Sequence, residues 1–266
     1  MNAEVVINLK KYHVDFSQSL DISIPIIFNG KQPNTYGVAK ASSVAYQDNK
    51  FIGDRRKGGP CNFETYSITP HCNGTHTECI GHITNKRVSI LSSLKDILIA
   101  STLVTVFPKS SNDSYIPNLT SKDLVITKDD LLALLDNTPD YLLKGLIIRT
   151  LPNTDFKKSQ DYMKNPPSFL SNDAMTYIRS RGIQHLLIDT PSVDRLFDEG
   201  NLSSHNIFWN TKNKNYNTDS KDYTITEMIY VDNNIEDGSY LLNLQIAPFV
   251  SDASPSRPII FKLNEL

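Results

Sequence analysis

Cysteine is scarce in this chain, and neither sign of charge is in surplus. Three cysteines in 266 residues cannot all pair with one another. Two of them, Cys72 and Cys79, lie inside a histidine cluster rather than at the spacings of a disulfide scaffold, so reduced thiols are expected. Lysine and arginine number 27 against 29 acidic residues, a formal net charge of -2 with no long block of either sign. That balance argues against a nucleic-acid or anionic-membrane partner. The longest apolar runs, such as "DILIASTLVTVF" at 96–107, fall short of the roughly 20 residues a membrane-spanning helix needs. The polar opening "MNAEVVINLKKYH" has no signal-peptide core, so a cytoplasmic chain is expected. The sequons at Asn73, Asn112, Asn118 and Asn201 then read as a by-product of an asparagine-rich composition. No Gly-x-Ser-x-Gly elbow, His-Glu-x-x-His, Walker A loop or Gly-x-Gly-x-x-Gly fingerprint occurs. Serine hydrolase, zincin, nucleotide hydrolase and dinucleotide oxidoreductase readings therefore lack support.

What the chain does have is alternation of helix and strand signals. Thr127 precedes "KDDLLALLDN", with acidic residues in the first turn and leucines at helical spacing, which predicts a capped helix. "GLIIRT" at 145–150 is a short apolar run of the kind that forms a buried strand. The pattern repeats: Ser171 caps "NDAMTYIRSRG", and "IQHLLIDTPS" predicts a second buried strand running into a turn. "YLLNLQIAPFV" and "RPIIFKL" predict further strands near the end of the chain. The expectation is one α/β domain over residues 1–266. Its one polar segment, "NTKNKNYNTDSKDY" at about 210–223, reads as a mobile surface insertion.

Chemistry concentrates in "SITPHCNGTHTECIGHI", residues 67–83, which holds three of the six histidines. His76 and Glu78 are two apart, so on an extended backbone both project from one face, and imidazole with carboxylate is a common divalent-metal set. His71 lies five residues before His76. His82 lies four after Glu78, where a turn through Gly81 returns it toward the same place. Gly74 fits a chain that must approach a site closely. Three histidines and a glutamate within twelve positions exceed what packing alone explains, and the spacing predicts a metal or catalytic site without naming a reaction.

The same residues carry a resemblance. "GTHTECIGH", 74–82, is similar to the His-x-Gly-Thr-His-x-Asp-x-Pro-x-His signature of the cyclase family of metal-dependent hydrolases, which includes bacterial kynurenine formamidase and isatin hydrolase. "TPH" before it, "LDISIPI" at 20–26, "IDTPSVD" at 188–194 and "DASPSRPII" at 252–260 resemble further blocks of that family in the same order. The resemblance implies a mixed, β-rich, barrel-like α/β core with flanking helices, association as a homodimer or larger homo-oligomer, and a small-molecule amide as substrate. It implies His76 as a metal ligand, Glu78 as a carboxylate able to bridge two ions, and His82 as the acid/base group. His205 and Glu227 are the candidates for completing a second ion's site. The cofactor expected is Zn²⁺, or Mn²⁺, as one or two ions.

The chain also departs from the pattern. The family spacing puts the first ligand at Cys72, with His71 one residue earlier; His71 is favoured through a bulge, and Cys72 is the alternative. Glu78 stands for Asp and Ile80 for Pro. The expected activity is hydrolysis of an amide C–N bond, with N-formylkynurenine first, a lactam such as isatin second, and an inactive ligand-binding protein as the reading from another class. Trp209, Phe208, Phe28 and Tyr36 are candidate aryl walls. Asp189 and Ser192 are expected to hold a turn and Arg257 to anchor the C-terminal segment. His13 and His185 are expected to stand outside the site, His185 as a hydrogen-bonded core residue.

Overall fold

The run "GLIIRT" folds as a strand whose six residues are all buried, and its two faces show why it does not alternate in polarity. Leu146 and Ile148 pack into one apolar cluster and Ile147 into another. Both faces are thus covered, as in the parallel sheets of α/β proteins. The computed structural model, which describes residues 1–211 and 214–266, places this strand at the centre of a nine-stranded sheet curled into a half-barrel. In chain order the strands are β1 (Leu20–Asp21), β2 (His76–Cys79), β3 (Leu98–Val106), β4 (Gly145–Thr150), β5 (His185–Ile188), β6 (Thr224–Glu227), β7 (Gly238–Asn243), β8 (Ala253–Pro255) and β9 (Ile259–Lys262). Across the sheet they run β8-β2-β6-β5-β4-β3-β7-β9-β1. β3 to β6 are parallel neighbours, and the flanking pairs are antiparallel. The mixed, β-rich barrel-like α/β core expected from the sequence is the fold observed.

Helices cover one face of the sheet. The short α1 (Pro70–Asn73) precedes β2, and α2 (Lys128–Leu135), α3 (Asn172–Ser180) and α4 (Ser203–Phe208) follow later. Thr127 and Asp130 close a full capping box on α2. Ser171 accepts from the Ala174 amide to start α3, which ends before Gly182 at φ 72°. Leu131, Leu135, Met175, Ile178 and Phe208 bury against Leu146, Ile148, Leu186 and Ile188. On the opposite face Ile22, Ile99, Leu103, Leu187 and Ile260 gather around Ile147. Each such fully buried side chain stabilises the fold by about 1.5–3 kcal/mol.

The apolar run at 96–107 supplies β3, the longest strand of the sheet. "YLLNLQIAPFV" forms a strand only as far as Asn243; past it Ile246 makes a single bridge to Ser256 before Pro248, which has no amide to donate. Within the polar 210–223 segment, Lys212 and Asn213 lie outside the described residues. Its exposed part includes Lys214 and Asp219, but Ser220 is buried and accepts a hydrogen bond from Arg179. Among the described residues no helix is long and apolar enough to cross a membrane.

Candidate metal centre

β2 lies between β6 and β8, and its register sets the centre. His76 stands directly opposite Glu227 of β6, and Glu78 follows two positions on, so all three project from one face. Thr77 and Thr226 meet on the other face, hydroxyl to hydroxyl at 2.8 Å. His76 Nδ1 lies 3.0 Å from the Gly74 carbonyl. A carbonyl can only accept, so Nδ1 carries the proton and Nε2 presents its lone pair to the interior. That lone pair is buried without a hydrogen-bond partner, 3.4 Å from Glu227 Oε2.

His71 arrives on α1 rather than on a bulge. Pro70 fixes the first turn of that helix, and the extra residue before Gly74 is absorbed in it. His71 Nδ1 lies 2.9 Å from Glu78 Oε2, yet that oxygen makes no aligned hydrogen bond. Such an arrangement is what two ligand atoms facing a common third partner produce. Cys72, the alternative first ligand, is buried but belongs to none of the ligand groupings found among the described residues. Burial pushes its thiol up to about 11, with the Glu227 carboxylate adding to the effect. Gly74 does not face the centre: a Cβ there would meet Ile26 at 3.0 Å. Gly81 is needed for the turn, since a Cβ would sit 2.3 Å from the Val88 carbonyl oxygen. The 3₁₀ turn Ile80–His82 then brings His82 Nε2 to 3.8 Å from Glu78 Oε2.

His205 reaches the centre from α4, and Glu227 from the end of β6. Neither is the loop or solvated residue that their surroundings in sequence suggest; both are buried. His205 Nε2 lies 3.0 Å from Glu78 Oε1 and 3.7 Å from Glu227 Oε1, and the latter oxygen also accepts from the Val193 amide at 2.9 Å.

Two carboxylates complete the arrangement, and neither was singled out from sequence. Asp194 accepts from His205 Nδ1 and from the Ser204 and His205 amides at the start of α4, and from Tyr115 Oη at 2.8 Å. It thereby aims His205 Nε2 at Glu78. Asp252, just before β8, lies 2.9 Å from His71 Nε2 and 3.5 Å from His82 Nδ1. Both sit within the phrases "IDTPSVD" and "DASPSRPII", which were the available signal.

These contacts set the charge state. Burial lowers the His71 imidazole's affinity for a proton, but Asp252 and Glu78 more than reverse this and hold it at about 10. Burial opposes the ionisation of Glu78, yet His82, His205 and His71 hold it well below the usual carboxylate range. His205 likewise loses by burial and gains more from Asp194 and Glu78, ending well above an ordinary histidine. Asp252 is held low, first by His71 and then by His82.

The donor set fits a divalent cation. Ligand atoms of His71–His76–Glu78, of Glu78–His82–His205 and of His71–His82–Asp252 lie within 4.8 Å of one another. Nitrogen and carboxylate oxygen together suit zinc or manganese, and two buried ligand atoms, His76 Nε2 and Glu78 Oε2, make no aligned hydrogen bond. Carboxylates behind His71 and His205 fix their rings as outer-shell partners do at metal sites.

The remaining candidates fall elsewhere. Phe208 and Trp209 are fully buried in the helix-side core, so they are not open aryl walls. Phe28 stacks on Tyr66, and Tyr36 is half exposed with φ 55°. Asp189 sits beneath the turn after β5, bonded to Thr150 and Lys157, and Arg257 ties the C-terminal segment to Asp21. His13 is on a separate three-stranded sheet. His185 is a core residue bonded to Thr224 and Asp96.

Residues 14–195 match the model of a family described as "Putative cyclase". A search of curated proteins finds no match. Among solved structures, a "potential metal-dependent hydrolase with cyclase activity" is 18% identical with a TM-score of 0.62, covering 92% of this chain and 97% of that one. A "predicted metal-dependent hydrolase from Bacillus stearothermophilus" is 16% identical at 0.60, covering 92% and 98%. An isatin hydrolase bound to the product analogue thioisatinate is 13% identical at 0.63, covering 92% of each. At such identities the likeness is one of fold.

Proposed function

The chain belongs to the cyclase family, and from that premise we propose that it is a metal-dependent hydrolase of an amide C–N bond, an arylformamidase acting on N-formylkynurenine. The observation that carries the reading is the pair of buried, unpartnered ligand atoms, His76 Nε2 and Glu78 Oε2, with a half-buried histidine beside them. His71, His76 and Glu78 would hold the first divalent ion, Zn²⁺ or Mn²⁺, and His205 and Glu227 would complete a second position beside Glu78. A divalent cation there supplies Lewis-acid polarisation and an acidified water.

The chain's own residues handle orientation and protons. His82 stands at the mouth, with its side chain 29% exposed and in reach of both Glu78 and incoming substrate. Asp252 faces its Nδ1 and favours a proton there, so Nε2 is free to take the proton of the attacking water and deliver it to the departing nitrogen. Oxygen bonds to the formyl carbon, the C–N bond breaks, and the products are kynurenine and formate. Tyr36, half exposed, is within electrostatic reach of the centre's carboxylates. Burial pushes its hydroxyl up to about 12, with Glu227, Asp198 and Asp194 adding, which supports a neutral donor and aromatic face for an aryl substrate.

The second reading keeps the centre and changes the bond to that of a lactam, and the fold shared with an isatin hydrolase supports it. A purely metal-binding protein would have little use for His82. Association as a homodimer, and a cytoplasmic location, complete the proposal; light scattering of the purified chain tests the first. The activity test strips metal, reloads Zn²⁺ or Mn²⁺ separately, and follows N-formylkynurenine and isatin with His76→Ala as control. Metal-dependent release of kynurenine, lost in the variant, supports the formamidase. Turnover of isatin alone selects the lactam reading, and no turnover by a metal-loaded chain leaves a binding role.

A further inference from the structure

The threonine of the Gly-Thr-His phrase has no part in the proposed chemistry, yet it is buried with its hydroxyl fully engaged. Thr75 Oγ1 accepts from the Ile24 amide at 2.7 Å and donates to the Met228 carbonyl. An amide can only donate and a carbonyl only accept, so the single hydroxyl proton is committed to Met228. The hydroxyl thus ties two backbone segments that are far apart in sequence, and both are buried.

Met228 is where this bond acts. β2 and β6 pair antiparallel with His76 opposite Glu227, so one step further in the same register Met228 would fall opposite Thr75. The ladder stops short of that pair. Met228 turns instead to φ 53°, a left-handed conformation that a residue with a side chain adopts only against steric strain, and β6 ends at Glu227. The amide of Met228 donates to the Thr190 carbonyl, in the turn after β5, at 3.0 Å. With Thr190 on the amide and Thr75 on the carbonyl, the strained residue is held on both sides, which is what such strain needs in order to persist. Glu227 stands directly before it, with Oε2 at 3.4 Å from His76 Nε2 and Oε1 at 3.7 Å from His205 Nε2. Relaxing Met228 toward extended backbone would turn the end of β6 and shift that carboxylate against both imidazoles.

We propose that Thr75 is a positioning residue for the metal centre: its hydroxyl clamps Met228 in the left-handed turn and so sets the Glu227 carboxylate, beside His76 and His205, to receive a divalent ion. The inference rests on Glu227 as a metal ligand, as in the proposed function, and holds whichever amide is cut.

The probes are Zn²⁺ and Co²⁺, added to the full chain after metal is stripped. Competition with a chromophoric chelator gives the zinc affinity, and the visible absorption of bound Co²⁺ reports its ligand set. Thr75→Val, which keeps the branched shape and removes the hydroxyl, should weaken zinc binding by about tenfold and alter the Co²⁺ spectrum in the same sense as Glu227→Gln. Thr75→Ser keeps the hydroxyl and should keep the parent's affinity and spectrum. Combining Thr75→Val with Glu227→Gln should weaken zinc no further than Glu227→Gln alone, since both act through one carboxylate. Thr75→Ala serves if the valine variant folds poorly. Parent affinity and spectrum without the hydroxyl, an equal loss in Thr75→Ser, or additive losses in the double variant would overturn the inference and leave the metal reading standing. A parent chain that binds neither ion, or binds as tightly after Glu227→Gln, would overturn the reading of Glu227 as a ligand and the inference with it.

Discussion

Two buried polar clusters sit along one edge of the same sheet, and they differ in how completely their hydrogen bonds are made. At the end of β4 and β5, Lys157, Asp189 and Thr150 close on one another: three ammonium donors and the carboxylate acceptors are all used. At the end of β6, four imidazoles and the carboxylates Glu78, Glu227, Asp194 and Asp252 leave His76 Nε2 and Glu78 Oε2 buried without an aligned hydrogen bond. Since an unmade buried hydrogen bond costs about 1–3 kcal/mol, a fold keeps one where something else fills it. The closed cluster is framework, and the open one is a binding centre.

The largest effect that would break this contrast is on the framework side. Lys157→Met strands the Asp189 carboxylate in the core and should cost about 3–5 kcal/mol of stability in denaturant unfolding, while the folded variant binds metal in the same ratio as the parent. A variant that kept its stability but lost metal would reverse the two roles. On the other side, Glu78→Gln removes the charge that faces His71, His82 and His205, so zinc affinity should fall by at least about 100-fold, and melting of the metal-free chain should drop as well because the buried imidazoles lose their counter-charge. Smaller again is Asp194→Asn: it leaves every proposed ligand present but weakens the hold on His205 Nδ1, so affinity should fall by about 10- to 100-fold. An unchanged affinity would mean that His205 does not bind metal.

The mildest test is pH. His71 is held at about 10 in the folded chain against an ordinary histidine near 6.5. A raised value contributes stability that is fully present below about 6.5 and is lost as pH climbs through about 10. Glu78 and Asp252 are shifted the other way, and their contribution is lost only at acid pH, so it is constant across this window. Melting of the metal-free chain should therefore decline from pH 6.5 to 10. Zinc binding, which needs neutral imidazoles, should strengthen over the same range.

Much of this contrast is legible in the sequence, because the relevant signals are local. The His76–Glu78 spacing on a strand, the turn through Gly81, the strands at 145–150 and 185–188 and the caps at Thr127 and Ser171 all depend on neighbours within a few residues. Asp252 is 181 residues from His71, and Asp194 meets His205 only because a loop and a helix start fold together, so no spacing announces either. In "IDTPSVD" the eye falls on Asp189, yet that residue is sealed by Lys157 while Asp194 orients a histidine. His71 was legible as a candidate, but the helical turn that delivers it depends on Pro70 and on what α1 packs against. Phe208 and Trp209 show the opposite limit: aromatic type suggested a substrate wall, and the helix turned both into the core.

The central claim is that the open cluster holds a divalent cation through His76. Titration calorimetry of Zn²⁺ into the chelated chain, parent against His76→Ala, tests it most directly. The account predicts one or two ions bound by the parent and a loss of at least about 100-fold in affinity in the variant; equal binding by the two chains would contradict it.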